Sequence, residues 1–161
     1  MKIARNKNGS NRLQKLLGKS DDVDGLLCAA ILSCFLHVMT EKHASYMALR
    51  GLRIFDEEKK KAMYEHTVIH TLQIACDQHG CIALNEVITD SEHPHYRNQL
   101  LEVVTHIALD LSKDTYGNFV VQHVRLNCMT CIARIVLRLI SVVIALSARS
   151  RSMEAILWRS R

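Results

Sequence analysis

The chain repeats itself at an interval near 36 residues. The clearest pair of segments is Asp77-Gln78-His79-Gly80-Cys81-Ile82-Ala83-Leu84-Asn85-Glu86-Val87 and Asp114-Thr115-Tyr116-Gly117-Asn118-Phe119-Val120-Val121-Gln122-His123-Val124. In both, Asp precedes Gly by three positions, apolar residues follow at fixed offsets, and an amide, Asn85 or Gln122, closes a five-residue stretch. Leu72 and Ile74 upstream of one match Leu109 and Leu111 upstream of the other, so the likeness spans two helices rather than one motif. The same frame laid over 46–52 places Ala48, Leu49 and Leu52 where Ala83, Leu84 and Val87 fall, and 10–16 fits as the second half of a further unit. On this reading the pentads begin at 10, 46, 81 and 118. A period of this size is the signature of a solenoid, in which each supersecondary unit buries its apolar face only against its neighbours.

The units are helical. Leu, Ile, Ala and Val fill long stretches, aromatics are scarce, and Pro94 is the single proline, which removes the punctuation of a sheet of short strands. Each unit reads as a longer helix, a tight turn, then a second helix that carries the pentad. The first helices are expected over 25–40, 60–76 and 96–112, and the linkers at 19–24, 56–59 and 89–95. Gly80 and Gly117 sit at the turns, where glycine tolerates positive φ, and Asp77 and Asp114 have the chemistry to cap exposed amides there. The resulting organisation is a partial unit at 1–18, a degenerate one at 19–56, full units at 57–92 and 93–127, and a basic, apolar tail at 128–161.

Charge excludes one easy inference. The formal charge is +5, yet residues 1–127 carry 15 basic against 15 acidic side chains, and all the excess lies in 128–161. A nucleic-acid surface in the repeats must therefore come from local placement of Lys and Arg, not from net charge. Six cysteines lie in or beside helical patterns with no apolar leader over 1–18, which points to reduced thiols and a cytoplasmic location. Cys128 and Cys131 have a metal-ligand spacing but no second pair nearby, so they read as two thiols near a helix start, and no metal or cofactor is expected. Arg134 and Arg138 interrupt the most apolar run, 132–148, which disfavours a membrane span. The nine histidines are dispersed with no paired nucleophile, so an enzyme is not expected.

In a helix the first, second and fifth residues of a pentad share a side while the third and fourth turn inward. Asn118 and Gln122 thereby offer amides to the edge of a base, and Phe119 offers a ring for stacking. Taken with the period and the helix pattern, the wording of 114–124, and of 79–86 beside it, resembles the RNA-reading segment of Pumilio (PUF) repeats, and the latter resembles plant members of that family. The likeness runs over roughly 10–127.

The resemblance implies a short right-handed superhelical array, acting as a monomer, whose units each contact one base of single-stranded messenger RNA. It implies regulation of translation and stability through 3′ untranslated regions. In that family Asn with Gln reads uracil, which Asn118 and Gln122 match with Phe119 stacking, and Ser with Gln reads adenine, which Ser10 and Gln14 match with Asn11 in the stacking place. Cys81 with Asn85, and Ile82 in the stacking place, depart from the pattern, as do Tyr46 with Arg50 and Met47 in the stacking place, where Arg50 is left to stack or to meet phosphate. The RNA would run antiparallel, with Ser10 towards its 3′ side. The alternative is a helical scaffold or an inactive gene product, because so few units hold RNA weakly.

After Asn127 the family wording stops where another repeat is due. A stretch common in such repeats, Lys-Lys-Tyr-Gly-Ser-Tyr-Ile-Val-Glu-Lys, encoded AAG-AAG-TAT-GGA-AGC-TAT-ATT-GTG-GAG-AAG, reads one nucleotide out of frame as Arg-Ser-Met-Glu-Ala-Ile-Leu-Trp-Arg, the wording of 151–159. The expectation is that 128 onward is an out-of-frame reading of the next repeat, which genomic sequence lacking that repeat in any frame would refute. An array with a partial first unit and a foreign last one should be marginal in stability. A thermal melt should give a midpoint below about 60 °C, and a higher one would contradict this.

Overall fold

The computed structural model describes residues 2–91 and 93–127, and every regular element among them is helical. Cys128, Cys131, the apolar run and the 151–159 wording lie outside the described residues. A 3₁₀ turn (Lys2–Arg5) leads into α1 (Lys7–Gln14), followed by α2 (Asp21–Leu32), α3 (Phe35–Thr40), α4 (Ser45–Ile54), α5 (Glu57–Ile69), α6 (Thr71–Ala75), α7 (Gly80–Asp90), α8 (Pro94–His106), α9 (Ala108–Leu111) and α10 (Gly117–Asn127). The order long, short, medium recurs three times.

Each expected first helix is in fact two. The breaks fall at Ser33–Cys34, His70 and Ile107, and the last two hold φ/ψ of −101°/13° and −99°/10°, outside the α well. Hydroxyls beside the breaks turn back on the ladder: Thr67 donates to the Met63 carbonyl at 2.8 Å, Thr71 to Thr67 at 2.8 Å and Thr105 to Leu101 at 2.7 Å. Side chains bonded in this way loosen and bend a helix. The bend frees the short helix to sit between two layers. In one layer α2, α5 and α8 pack in series, and in the other α1, α4, α7 and α10 do, while α3 touches α4 and α7, and α6 touches α7 and α8.

The starts of the long helices are set by local chemistry. Ser20 accepts from the Val23 N–H before α2, Asp56 accepts from the Lys59 N–H at 2.9 Å before α5, and Pro94 opens α8. Lys59 then ties α5 to α2 by donating to Asp21 at 2.8 Å while also pairing with Asp56. Between the layers Ile31, Met39, Met47, Phe55, Met63, Ile74, Leu84, Leu100 and Leu111 are sealed from solvent in one continuous core.

The turn into α1, α7 and α10 is where the repeat is most strictly kept. Asp77 accepts from the N–H groups of His79 and Gly80, each at 2.8 Å, and Asp114 from Tyr116 at 2.9 Å and Gly117 at 2.8 Å. Asn6 accepts from Asn8 at 2.8 Å in the same place before α1. The glycines there do not use positive φ; only Gly18 has it, at 78°. They are needed for close approach: a Cβ would lie 2.0 Å from the Ile3 carbonyl oxygen at Gly9, 2.3 Å from that of Ile74 at Gly80, and 2.9 Å from that of Leu111 at Gly117. Gly80→Ala should therefore cost ~2 kcal/mol in chemical denaturation. Gly25→Ala, inside α2 with nothing nearer than the Lys59 Cε at 4.0 Å, should instead gain ~0.5–1 kcal/mol. Equal effects of the two would contradict the close-approach account.

Candidate nucleic-acid interface

At α1, α7 and α10 the repeated turn sets how far the helix is rotated, and with it which side chains reach solvent. Ile82 on α7 is 55% exposed and Phe119 on α10 is 54% exposed, while Ala83 and Val120, one residue on, are buried. On α4 the same contrast falls between Tyr46, 50% exposed, and Met47, which is fully buried. Met47 therefore cannot present a stacking face, and the expected register of the second unit is corrected by one residue. Its pentad is Ser45-Tyr46-Met47-Ala48-Leu49, and the four pentads begin at 10, 45, 81 and 118. The turn backbones agree independently: the N–H groups of Ser10, Ser45, Cys81 and Asn118 each donate to the carbonyl four residues back, of Asn6, Glu41, Asp77 and Asp114, at 2.8, 3.1, 3.0 and 3.1 Å.

With the register corrected, one residue from each inner helix forms a row, Asn11, Tyr46, Ile82 and Phe119, all exposed. The first pentad positions lie deeper than expected. Ser10 is 2% exposed, donates to the His43 carbonyl at 2.6 Å and accepts from Gln14 Nε2 at 3.0 Å. Ser45 is buried and donates to the Lys42 carbonyl at 3.5 Å. Cys81 is buried, its thiol donating to the Gln78 carbonyl at 3.4 Å, and burial raises its pKa and keeps it protonated. Asn118 is half-buried.

The fifth positions differ in chemistry. Gln122 is exposed, and Gln14 and Asn85 are half-buried, the last with a sealed Oδ1 that has no partner. A buried acceptor without a donor costs stability. The fifth position of the second unit is Leu49, 6% exposed, and Arg50 lies one residue beyond it, exposed. Between the Tyr46 and Ile82 side chains opens a slot, with Ser45, Leu49 and Ala83 on its walls and Lys42, Gln78, His79 and Glu86 around it. These last four were not anticipated from sequence. Their signal was present, since Lys42 and Gln78 precede the pentad starts by three residues in consecutive units.

A family comparison matches residues 70–105 and 108–124 to the Pumilio-family RNA binding repeat. Among curated proteins, Pumilio homolog 18 of Arabidopsis thaliana is 56% identical over 148 residues, covering 91% of this chain and 45% of that protein. This is a Pumilio-repeat chain. A more distant relative, Pumilio homolog 12 of the same plant, is 25% identical over 126 residues, covering 77% of this chain and 21% of that protein. The chain thus spans about half the length of the nearest of these two relatives. Of the solved structures, PUF-8 in complex with PBE-RNA superposes with a TM-score of 0.74 at 14% identity, covering 84% of this chain and 42% of that one. The RNA-binding domain of yeast Puf5p bound to MFA2 RNA gives 0.64 at 21% identity, covering 76% and 35%. Both likenesses establish the α-solenoid fold. The match to Pumilio homolog 18 is too long to end at Asn127 and so continues into the segment after it.

Among the described residues no helix is long and apolar enough to cross a membrane, no cluster of His, Cys, Asp or Glu is placed to hold a metal, and Cys28, Cys34, Cys76 and Cys81 are free thiols. One charge holds the interface directly. The Gly117 N–H, with that of Tyr116 and the Cys76 thiol, holds the Asp114 carboxyl below its ordinary value of 3.8, against a smaller opposing effect of burial. A carboxyl depressed in the folded state contributes stability above its unfolded pKa and loses it as pH falls through the folded one. Asp114→Asn should therefore flatten the fall in melting temperature between pH 5 and pH 3. The fall should not vanish, because Lys59 holds Asp56 low as well. An unchanged acid profile would contradict the capping role.

Proposed function

We propose that this array binds single-stranded RNA along the face of α1, α4, α7 and α10, with one base to each unit. The observation that carries the reading is the row of Asn11, Tyr46, Ile82 and Phe119. It repeats at the spacing of the inner helices and opens an amide, two rings and an aliphatic side chain to solvent on one layer. Successive exposed faces of this kind suit the unstacked bases of a single strand, and a side chain one helical turn away can meet a base edge. Asn118 and Gln122 read uracil beside Phe119, Ser10 and Gln14 meet the base beside Asn11, and Cys81 and Asn85 meet the base beside Ile82. PUF-8 in complex with PBE-RNA and Puf5p bound to MFA2 RNA, which share this fold, support the same reading.

In this reading the protein is a monomeric, non-catalytic regulator of messenger RNA that acts in the cytoplasm on translation or stability through 3′ untranslated regions. We divide it into units at 1–18, 19–56, 57–92 and 93–127. Stacking on a side chain stabilises a base by roughly 1–3 kcal/mol, so a few units give an affinity on the order of micromolar or weaker. Fluorescence anisotropy of a short uracil- and adenine-containing RNA should show saturable binding by the full chain. Asn118→Ala/Gln122→Ala should weaken it by about tenfold or more, while Glu102→Ala, on the exposed side of α8, should leave it unchanged. No binding at high micromolar protein, or equal loss in both variants, would favour a helical scaffold.

A further inference from the structure

The second unit differs from the others in one chemical respect that bears on which RNA the array accepts. At the fifth pentad position the first, third and fourth units carry amides, Gln14, Asn85 and Gln122, and the second carries Leu49. Leu49 is 6% exposed and walls the clefts on both sides of Tyr46, one shared with Gln14 and the other with Ile82. The remaining edge-facing group, the Ser45 hydroxyl, is buried and donates to the Lys42 carbonyl. A base seated against Tyr46 therefore meets a ring face and, at the fifth position, a methyl wall in place of the amide that the other three units carry there. Lys42, Gln78, His79 and Glu86 also line the slot, the first three from the segments before α4 and α7 and Glu86 from α7 itself.

We infer that the second unit is a stacking spacer: it holds a base of the RNA by the Tyr46 ring without choosing among the four. This deepens the RNA-binding reading and rests on it. Discrimination among bases needs hydrogen-bonding groups whose loss is felt with the wrong partner, whereas every base has a face to stack. Affinity and selectivity are thus separated along the array, with Tyr46 supplying the first and Gln14, Asn85 and Gln122 the second.

The full chain, immobilised, would be used to select from a pool of random single-stranded octaribonucleotides, and the enriched RNAs would be sequenced and titrated. The position two bases from the one that faces α10 should retain all four bases, with affinities within about twofold of one another. Tyr46→Ala should weaken all four alike, by about tenfold. Leu49→Gln, which restores an amide where the slot already has room for a side chain of similar length, should introduce a preference of about fivefold or more at that position alone. Circular dichroism would verify that each variant is folded. A base preference of the unaltered chain at that position equal to that at the α10 position would overturn the inference while leaving RNA binding intact. Absence of any enrichment would overturn RNA binding and this inference together.

Discussion

The start of each inner helix is the interaction on which the rest depends. At α1, α7 and α10 an Asp or Asn side chain closes a three-residue turn, and a residue without a side chain lets that turn lie against the carbonyl of the residue six positions back. Because this contact is backbone against backbone, it leaves the helix little freedom to rotate. The rotation decides that Ile82 and Phe119 face solvent while Ala83, Val120, Leu84 and Val124 face the core. Core packing and the binding face are two consequences of one local geometry.

The second unit shows what happens when that geometry is built from other residues. Glu41 stands where the Asp would be, and instead of capping α4 it pairs with Arg5 at 3.5 Å and His37 at 3.7 Å. Ala44 stands in the glycine place and α4 has no side-chain cap. The helix is nonetheless held in the common orientation, because α1, α3 and α7 pack around it and bury Met47, Ala48, Leu49 and Leu52. Neighbouring units impose the register that local sequence no longer specifies, as expected of a nearest-neighbour array.

This explains what was legible in the sequence and what was not. The period, the helical class, and the pentads at 10, 81 and 118 could be read because Gly and Asp or Asn mark the turns before them. In the second unit those marks are absent, and matching Ala48, Leu49 and Leu52 to Ala83, Leu84 and Val87 placed the frame one residue late. Burial of Met47 and exposure of Tyr46 reset it. The division of each first helix escaped for a different reason: Thr67, Thr71 and Thr105 are unremarkable in a helix until their hydroxyls turn back on the ladder, and sequence does not record which way a hydroxyl points. The depth of Ser10 and Cys81 was likewise invisible, since it follows from how neighbouring inner helices close over the first pentad position.

The claim that binds these observations is that one row of side chains, in the corrected register, is where RNA lies. Photo-crosslinking tests it most directly: single-stranded RNA carrying 4-thiouridine is bound to the full chain, irradiated, and the adducts are mapped by mass spectrometry. The account predicts adducts at Tyr46 and Phe119, with neighbours confined to α1, α4, α7 and α10. Adducts concentrated on α2, α5 and α8, or none above those of an unrelated helical protein, would contradict it.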